Sequence, residues 1–283
     1  MTDVATRVKV RAQVLGCSRC GLRSNCTKPV PFSGRNPSPI VIVGEAPGAE
    51  EDSVGRPFVG PSGRLLRRTL DSAMDDNLTT ANGPFSASVA YLNVVSCYPH
   101  RTPHSSEVEE CKDNLSAQLK ALTPWYGLVV GGIAVSSWWP KIRIGDLRGR
   151  WWKENGYRED EKYTWFLATW HPSAVLRSGG LNSRLGKEFQ ADLMMFATVI
   201  ADHKRPGLNV DCVRCGRGER KGKAQIWERN VGVCQRCAPH VGFAGYASSA
   251  ERRPRTRQAK GKAFASSPRS RGSNATPTTL FGD

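Results

Sequence analysis

The sequence predicts an α/β protein of three layers, an α/β/α sandwich with a mostly parallel central sheet. Short apolar runs rich in β-branched residues alternate with stretches of helical periodicity as far as about His203. Runs of this kind are typical of strands buried on both faces of a parallel sheet, and their alternation with helices predicts crossover connections. A chain of 283 residues has room for one domain of about 200 residues and for smaller additions.

The first half of this domain supplies two helices and two strands. Helical periodicity from Val4 to Leu15 ends at Gly16, a residue suited to closing a helix. The run from Ile40 to Val43 predicts the first buried strand. Ser62 to Met74 predicts an amphipathic helix with a basic side in water, and Val89 to Val95 predicts the second buried strand.

The second half begins with a helix and continues with strands. Ser106 and Glu109 have the spacing of a capping box, which predicts a helix from Ser106 to about Leu122. A strand, a short helix, a strand pair and a last helix complete the domain. The strand is assigned to 128–130, and the short helix to the stretch after Gly131 and Gly132. The strand pair is assigned to Trp151 and Trp152 with 163–169, and the last helix to 184–201.

A polar loop rich in glycine and proline follows the first strand and leads into a helix at about Pro61. It carries three consecutive acidic residues, Glu50, Glu51 and Asp52, and one isolated aromatic residue, Phe58. Open α/β sheets bind their ligands at the carboxyl ends of the strands, so we expect the chemistry of this protein here. The loop does not fit the GxxxxGK pattern of a phosphate-binding loop, and no lysine follows its glycines.

Composition indicates the partner and the compartment. The formal net charge of +16 and the pI near 9.8 favour a polyanionic partner, for which nucleic acid is the obvious candidate. No apolar run approaches the roughly 18 residues of a membrane span, and the first ten residues lack the apolar core of a signal peptide. We expect a soluble, cytoplasmic, nucleoid-associated protein. In that reducing compartment its nine cysteines are expected to bind metal in preference to forming disulfides.

Two motifs together resemble one known family. GEAPGAEED at 44–52, followed by GRPFVGPSG at 55–63, closely resembles the first motif of the family 4 uracil-DNA glycosylases, the iron-sulfur branch of the uracil-DNA glycosylase superfamily. HPSAVLR at 171–177 resembles the second motif of the superfamily. The resemblance covers roughly residues 10 to 202. It implies a monomeric enzyme that hydrolyses the N-glycosidic bond of uracil in DNA and so begins base-excision repair.

The resemblance also implies how uracil is held. Phe58 stacks on the extruded base, Asn93 pairs with uracil O4 and N3–H, and Ala46 lies beside the base. From the residues alone, Asn93 has two readings, because a buried Asn is costly unless its amide is hydrogen-bonded. It is either a structural bracket or a reader of a ligand with complementary donors and acceptors.

The catalytic and DNA-binding residues are implied in the same way. His171 donates to O2 of the leaving uracil, Glu51 orients the water and stabilises the sugar cation, and Glu45 lies closer to the base, with Asp52 a weaker candidate for the water. Which of Glu45 and Glu51 holds the water stays open. Around the base, three residues of the second motif contact DNA: Leu176 fills the gap in the base stack, Arg177 binds the backbone, and Ser173 accompanies them.

Four cysteines far apart in sequence, Cys17, Cys20, Cys97 and Cys111, can meet at one edge of the predicted sheet. By spacing alone they fit Zn²⁺ or a cubane iron-sulfur cluster equally well. The family resemblance implies a 4Fe-4S cluster with a structural role, since base excision needs no electron. Cys26 has no counterpart in the family pattern and is expected to be a bystander thiol.

A second group of cysteines lies beyond the first domain, which we bound at residues 1–205. Cys212, Cys215, Cys234 and Cys237 have the spacing of a four-cysteine zinc ribbon, which we bound at 206–248. Basic neighbours and Trp227 favour nucleic-acid binding by this ribbon, and a purely structural module is the alternative. Residues 249–283 predict a disordered basic tail, whose TTLFGD end faintly resembles sliding-clamp peptides.

The competing interpretation is a non-catalytic or covalently trapping uracil- or DNA-binding protein that assists replication or repair. A related branch traps the abasic sugar with a His on an inserted basic loop, and it has Gln at the position of Ala46. This chain has the short loop RTPHSSE, in which His104 is expected to be a loop residue near DNA. Intact Glu51, Phe58, Asn93 and His171 favour catalysis. A redox or DNA-processing iron-sulfur protein would need a nuclease or helicase motif, and none is visible.

Overall fold

A five-stranded sheet forms the centre of the protein, whose structure, a computed structural model, describes residues 4–34, 38–75, 85–155, 157, 163–201, 225–228 and 231–234. The strands of this sheet, β1 to β5 in chain order, are Ile40–Gly44, Ala90–Asn93, Tyr126–Val130, Trp151–Asn155 and Tyr163–Thr169. They lie in the order β2-β1-β3-β5-β4. The first four of these in space are parallel, and β4 pairs antiparallel with β5 at the edge. The carboxyl ends of β1, β2 and β5 therefore share one edge of the sheet.

Helices cover both faces of the sheet. In chain order, α1 to α8 are Val4–Leu15, Ala49–Val54, Pro61–Asp75, Ser105–Leu122, Gly132–Ser136, Ile144–Leu147, Pro172–Arg177 and Arg184–Ala201. Helix α1 packs on α4, and α3 packs on α8. This arrangement confirms the predicted α/β/α sandwich.

The residues of β1 show how the two cores form. Val41 and Val43 point into a core built with α1 and α4, whereas Ile40 and Ile42 point into a core built with α3 and α8. All four are almost completely buried. Because successive side chains of a strand alternate between faces, an apolar run without polar interruptions fits a strand that is covered on both sides.

Most predicted elements are confirmed, and the start of α4, the length of β2 and the acidic stretch after β1 are among those that differ in detail. Helix α4 begins at Ser105 because the carboxylate of Glu107 accepts from the backbone N–H of His104, so the predicted capping box of Ser106 and Glu109 is wrong. Strand β2 is shorter than the predicted run and ends at Asn93. The acidic stretch after β1, predicted as loop, forms the short helix α2, since acidic side chains stabilise a helix N-terminus.

The second cysteine group lies largely outside the described residues. Its described part is an antiparallel hairpin of β6 (Gln225–Glu228) and β7 (Val231–Cys234), which follows the first CxxC pair and ends at Cys234, the first cysteine of the second pair. Cys212, Cys215 and Cys237 and the predicted tail with its TTLFGD end fall on residues that the structure does not describe. Among the helices that it does describe, none is both long and apolar enough to cross a membrane.

Candidate active-site cleft

A cleft of about 440 Å³ opens at the carboxyl edge of the sheet. Five stretches of the chain form its walls. They are the segment after β1, the turn into α3 with its first residues, the last residue of β2, the segment before α4, and the segment after β5. The lining residues are 45–51, Phe58, 60–63, Asn93, Tyr98, Pro99, Arg101, Thr102, His171, Ser173 and Arg177. The sheet topology thus brings the predicted base-binding and catalytic residues to one place.

Phe58 and Asn93 meet over the end of β1, at Gly44. Gly44 pairs in register with Asn93 on the neighbouring strand. A Cβ on Gly44 would lie 2.6 Å from Cζ of Phe58 and would also collide with Oδ1 of Asn93, so only glycine leaves room for both side chains. Phe58 has φ of +58°, a left-handed conformation that is rare for an aromatic residue. Backbone strain of this kind is found mainly where a ligand site requires it.

Both base-binding candidates are held with little freedom. Phe58 is 5% exposed, and its ring packs against Tyr91 with centroids 5.6 Å apart. The guanidinium carbon of Arg67 lies 3.7 Å from the centroid of the Tyr91 ring. The Nε–H of Arg67 donates to the backbone oxygen of Phe58 at 3.2 Å. Asn93 is 4% exposed, and no hydrogen bond joins its amide to the part of the chain that the structure describes. That amide is therefore available to a ligand in the cleft.

Glu51 is engaged by the backbone of its own loop. Its Oε1 accepts from the N–H of Gly60 at 2.8 Å, and its Oε2 accepts from the N–H of Gly48 at 3.1 Å. A Cβ on Gly48 or Gly60 would crowd this carboxylate, so both glycines allow its close approach. Glu51 consequently fastens the start of α2 to the turn before α3.

Asp52 and Glu45 have contrasting surroundings. Asp52 is buried, and both of its oxygens accept from the backbone N–H of Thr27, at 3.0 and 3.1 Å, which ties α2 to the segment of the first cysteines. Glu45 is partly buried and makes no hydrogen bond with the described residues. Burial raises the pKa of Glu45, and the charge of Arg177 partly opposes that rise. Of the three carboxylates, Glu45 is the one whose oxygens stay available within the cleft.

His171 is prepared to donate a hydrogen bond in its neutral form. Its Nδ1 accepts from the backbone N–H of Ser173 at 3.1 Å and lies 2.7 Å from the Ser173 hydroxyl. The proton of the neutral ring is therefore on Nε2. Burial, with a smaller effect from Arg177, lowers the pKa of His171 to about 4, so the ring is uncharged at neutral pH. Gly131 allows the ring to lie close, since a Cβ there would sit 2.9 Å from the Cβ of His171.

One buried and one partly buried contact anchor the strand end that precedes His171. The hydroxyl of Thr169 donates to Asp192 at 2.7 Å, and the indole N–H of Trp170 donates to Glu188 at 2.7 Å. Asp192 is 2% exposed and forms a two-pronged ion pair with Arg148, with N–O distances of 2.7 and 3.0 Å. Burial raises the pKa of Asp192 to about 6 in spite of Arg148 and Thr169. Helix α8 thus holds the residues that deliver His171.

The four predicted cluster cysteines converge beside the cleft. Burial, together with the thiols of Cys20 and Cys17, raises the pKa of Cys111 to about 11. Burial likewise raises the pKa of Cys97, as do Cys26, Cys111 and Cys20. These mutual effects require the thiols to be neighbours. Within the described residues, no three His, Cys, Asp or Glu side chains meet the closer spacing of a bound metal ion.

The donors around Cys17 suit a thiolate. Burial raises its pKa, but the nearby Arg19 backbone, the Asn114 amide and the Arg19 side chain outweigh that effect and lower it. Asn114 is 2% exposed, and its Nδ2 has no partner of ordinary hydrogen-bond geometry in the described part of the chain. A buried N–H that has no other partner near a thiol is typical of the surroundings of thiolate-bound iron-sulfur clusters. The residues present therefore fit such a cluster.

Comparison with protein-family models decides the family. Residues 31–194 match the model of the uracil DNA glycosylase superfamily. The chain belongs to this superfamily. The match spans the whole sheet and each wall of the cleft.

Curated relatives of this superfamily member agree with that result. The chain is 34% identical over 197 residues to a Type-4 uracil-DNA glycosylase of Pyrobaculum aerophilum, which covers 66% of this chain and 91% of that protein. A Type-4 uracil-DNA glycosylase of Archaeoglobus fulgidus is 32% identical over 64% of this chain and 86% of its own length. One of Thermotoga maritima is 34% identical over 60% and 82%.

Two predicted residues of this superfamily member lie outside the lining of the cleft. Leu176 is 42% exposed on α7 and is not among the residues that line the cleft, and His104 is an exposed residue at the start of α4 that also does not line it. Conversely, Tyr98, Arg101 and Thr102 form a wall that sequence reasoning missed. Their position directly after the carboxyl end of β2 was the available signal.

Proposed function

We propose that this protein is a monofunctional uracil-DNA glycosylase, which hydrolyses the N-glycosidic bond of uracil in DNA and leaves an abasic site for base-excision repair. The observation that carries the proposal is the meeting of Phe58, Asn93, His171 and Glu45 in one cleft. An aromatic face, an amide, a neutral imidazole and a carboxylate are what excision of a flipped pyrimidine requires. The Type-4 uracil-DNA glycosylase relatives support the same activity.

Base recognition falls to Phe58 and Asn93, with Ala46 beside them. The ring of Phe58 stacks on uracil, and the Asn93 amide donates to O4 and accepts from N3–H. Cytosine has an amino group in place of O4 and no hydrogen on N3. The N–H of the Asn93 amide would then face the N–H of that amino group, and no hydrogen bond could form. An unpaired buried polar group is costly, and this cost is the source of discrimination.

His171 stabilises the leaving group. As the bond between C1′ and N1 breaks, its electron pair moves onto uracil, and negative charge develops at O2. The Nε2–H of neutral His171 donates to that oxygen, a preorganised interaction typically worth about 3 kcal/mol in the transition state. A neutral donor is suited to this task because its proton is already directed into the cleft when the base arrives.

Glu45 orients the water in this proposal, and Glu51 shapes the loop. Water adds to C1′ of the sugar cation and passes its proton to the Glu45 carboxylate. Glu45 has unoccupied oxygens and a raised pKa, both of which suit a base in a partly buried site. The Glu51 oxygens already serve Gly48 and Gly60, although its charge still favours a cation nearby.

Arg177, Leu176 and Ser173 contact the DNA. Leu176 and Arg177 are exposed at the end of α7, beside the cleft. Leu176 enters the gap that the extruded nucleotide leaves, Arg177 binds the backbone, and Ser173 supports the turn through His171.

A 4Fe-4S cluster held by Cys17, Cys20, Cys97 and Cys111 completes the proposed enzyme. The cluster would supply a structural link, since the excision steps transfer no electron. The segment that leaves Cys97 continues directly into the cleft wall of Tyr98 and Thr102. Holding Cys97 therefore fixes one side of the cleft.

The test is excision itself. Wild-type protein, prepared with and without oxygen, is incubated with a labelled uracil oligonucleotide and then treated with alkali. We expect strand cleavage at uracil, and a loss of about 10²- to 10³-fold in single-turnover rate for His171→Ala. Absence of uracil release by the wild type would refute the proposal. A protein-DNA adduct that resists denaturation and disappears in His104→Ala would instead support the covalently trapping alternative.

The C-terminal part is proposed to be a zinc ribbon and a basic tail that add nonspecific DNA affinity. Residues 206–283 hold 15 Lys and Arg against 5 Asp and Glu, which gives +10 of the total charge of +16. Such charge binds phosphates by releasing counterions. Deleting 206–283 should remove bound zinc and weaken binding to undamaged DNA while uracil release is retained. Equal binding by the truncated and full-length chains would argue for a purely structural module.

Two further proposals concern partners. The enzyme is proposed to act as a monomer, which sedimentation of the full chain would test. The TTLFGD stretch is proposed to bind a bacterial sliding clamp, and a pull-down that loses nothing when Leu280 and Phe281 are deleted would end that proposal.

A further inference from the structure

A second arginine, Arg101, lines the cleft, on the loop whose His104 was expected near DNA but in which Arg101 itself was given no role. Arg101 and Thr102 come from the stretch between β2 and α4, whereas Arg177 ends α7. The Arg101 side chain is 44% exposed, and Arg177 is also exposed. The cleft therefore carries positive charge on two separate segments of the chain, both within reach of a ligand from solvent.

Glu107 holds the Arg101 guanidinium in one orientation. Arg101 donates from Nη1 to Oε2 of Glu107 at 2.9 Å and from Nη2 to Oε1 at 2.7 Å. Glu107 is fixed in turn, because its Oε2 accepts from the backbone N–H of His104 at 2.7 Å. The hydrogen bond from Arg101 lowers the pKa of Glu107 to about 2, and the His104 N–H lowers it too. The support for Arg101 is therefore charged across the range in which proteins work.

The guanidinium keeps donors for another acceptor. Arg101 makes two contacts with Glu107 and one from Nη1 to the backbone oxygen of Thr102 at 3.1 Å. A guanidinium has five N–H donors in a planar fork, so the Nε–H and one Nη2–H remain. A fork with fixed orientation matches phosphate oxygens better than a mobile side chain does, because less conformational freedom is lost on binding.

We propose that Arg101 binds a backbone phosphate of the DNA strand next to the nucleotide in the cleft, with the Thr102 hydroxyl as a second donor. The proposal rests on the proposed glycosylase function, which supplies a strand with a phosphate on each side of the extruded nucleotide. Arg177 and Arg101 then hold the strand from two segments of the chain. Glu107 acts through Arg101 and is a positioning residue.

The test is salt-dependent binding by the full chain. The probe is an oligonucleotide whose uracil nucleotide carries a 2′-fluoro group, which blocks excision. For Arg101→Ala we expect weaker binding and a slope of log Kobs against log salt that is shallower by about 1. Arg101→Lys should keep most of that slope, because a lysine still neutralises a phosphate. Arg143→Ala is the matched control, since Arg143 is an exposed arginine paired with Asp146 and does not line the cleft.

Each outcome decides the matter. An unchanged slope in Arg101→Ala overturns the proposal. If Arg101→Lys loses as much slope as Arg101→Ala, the role of Arg101 is to hold Glu107 and the start of α4, and the proposal is likewise overturned. Excision of ordinary uracil DNA by the same wild-type preparation reports on the glycosylase function separately. Loss of slope in Arg101→Ala without wild-type excision would leave a DNA contact but remove the enzyme.

Discussion

Single residues set the dimensions of the cleft, and Gly44 is the clearest example. It allows the Phe58 ring and the Asn93 amide to approach the end of β1 together. His171 shows a second kind of local control, since one backbone N–H, that of Ser173, decides which ring nitrogen carries the proton. In both cases the backbone, rather than another side chain, fixes the geometry of the groups that would meet uracil.

Gly44→Ala should close the base-binding part of the cleft. The added Cβ would lie 2.6 Å from Cζ of Phe58, so Phe58 or the strand must shift. We expect a loss of about 1–3 kcal/mol in the free energy of unfolding, as for other overpacked sites, together with a large loss of uracil release. Gly145→Ala is the control, because a Cβ there meets Trp170 only at an ordinary 3.6 Å. Full activity in Gly44→Ala would contradict the assigned pocket.

The pH dependence of excision should separate Glu45 from His171. Burial raises the pKa of Glu45, whereas His171, with a pKa of about 4, is still neutral where Glu45 takes up its proton. The single-turnover rate should therefore fall as the pH falls through the raised pKa of Glu45. In Glu45→Gln the rate should be lower by about 10² or more, and this acid limb should disappear. Glu50→Gln, five residues further along the chain and paired with Arg64, should behave as wild type.

Protonation of His171 should also affect stability. Its pKa is lower in the folded protein than the ordinary value of about 6.5, so the neutral ring stabilises the fold above that value. This contribution is lost progressively as the pH falls from about 6.5 to about 4, because in that interval the unfolded chain takes up the proton and the buried ring does not. A His171→Gln variant should show a smaller loss of stability over that interval when unfolding is followed by denaturant titration.

Helices act as supports for the loops that carry the chemistry. The short helix α2 exposes Glu50 at its start, while Glu51 and Asp52 turn inward to bind backbone N–H groups. Helix α8 supports the other side of the cleft, because its Asp192 and Glu188 accept hydrogen bonds from Thr169 and Trp170 respectively. Each loop is thereby fixed by contacts made just beside its functional residue.

Asp192→Asn should loosen the strand end that delivers His171. The substitution leaves Arg148 without its buried carboxylate partner, and breaking a buried ion pair costs about 3 kcal/mol. We expect that loss in denaturant unfolding and a lower single-turnover rate with little change in affinity for DNA. Asp146→Asn removes the exposed partner of Arg143 and should change stability by no more than about 0.5 kcal/mol. Equal effects of the two substitutions would contradict the supporting role of Asp192.

At the scale of the whole molecule, the cysteines connect three parts of the fold. Cys17 and Cys20 follow α1, Cys97 follows β2, and Cys111 lies within α4. Asp52 adds a link from this region to α2 through Thr27. The cysteine region is therefore continuous with two walls of the cleft.

Removal of one proposed cluster ligand should test this connection. Cys111→Ser should lose iron, from about four atoms per chain, together with visible absorbance and thermal stability. Cys26→Ser is the matched control, since Cys26 is also a buried thiol beside Cys97 but was expected to be a bystander. Iron loss of the same size in both variants would assign Cys26 to the cluster.

Local sequence patterns predicted the elements better than their ends. The Ile40–Val43 run and the Arg184–Ala201 periodicity gave β1 and α8 closely, because burial on two faces or on one stripe leaves a pattern in the residues themselves. The start of α4 was misplaced because two acidic residues had capping geometry in sequence and only Glu107 reaches the backbone N–H. Periodicity cannot choose between such neighbours.

By itself, the sequence determined the alternation of strands and helices, the motif residues and their position at strand ends. These follow from short-range patterns, and parallel strands necessarily bring their carboxyl ends to one edge. Only the tertiary structure decided which carboxylates are free, since Glu51 is bound by Gly60, nine residues away, and Asp52 by Thr27, twenty-five residues away. It also decided that Arg101 faces the cleft and that Asp192 supports Thr169. Such pairings depend on distances between remote parts of the chain, and no local pattern records them.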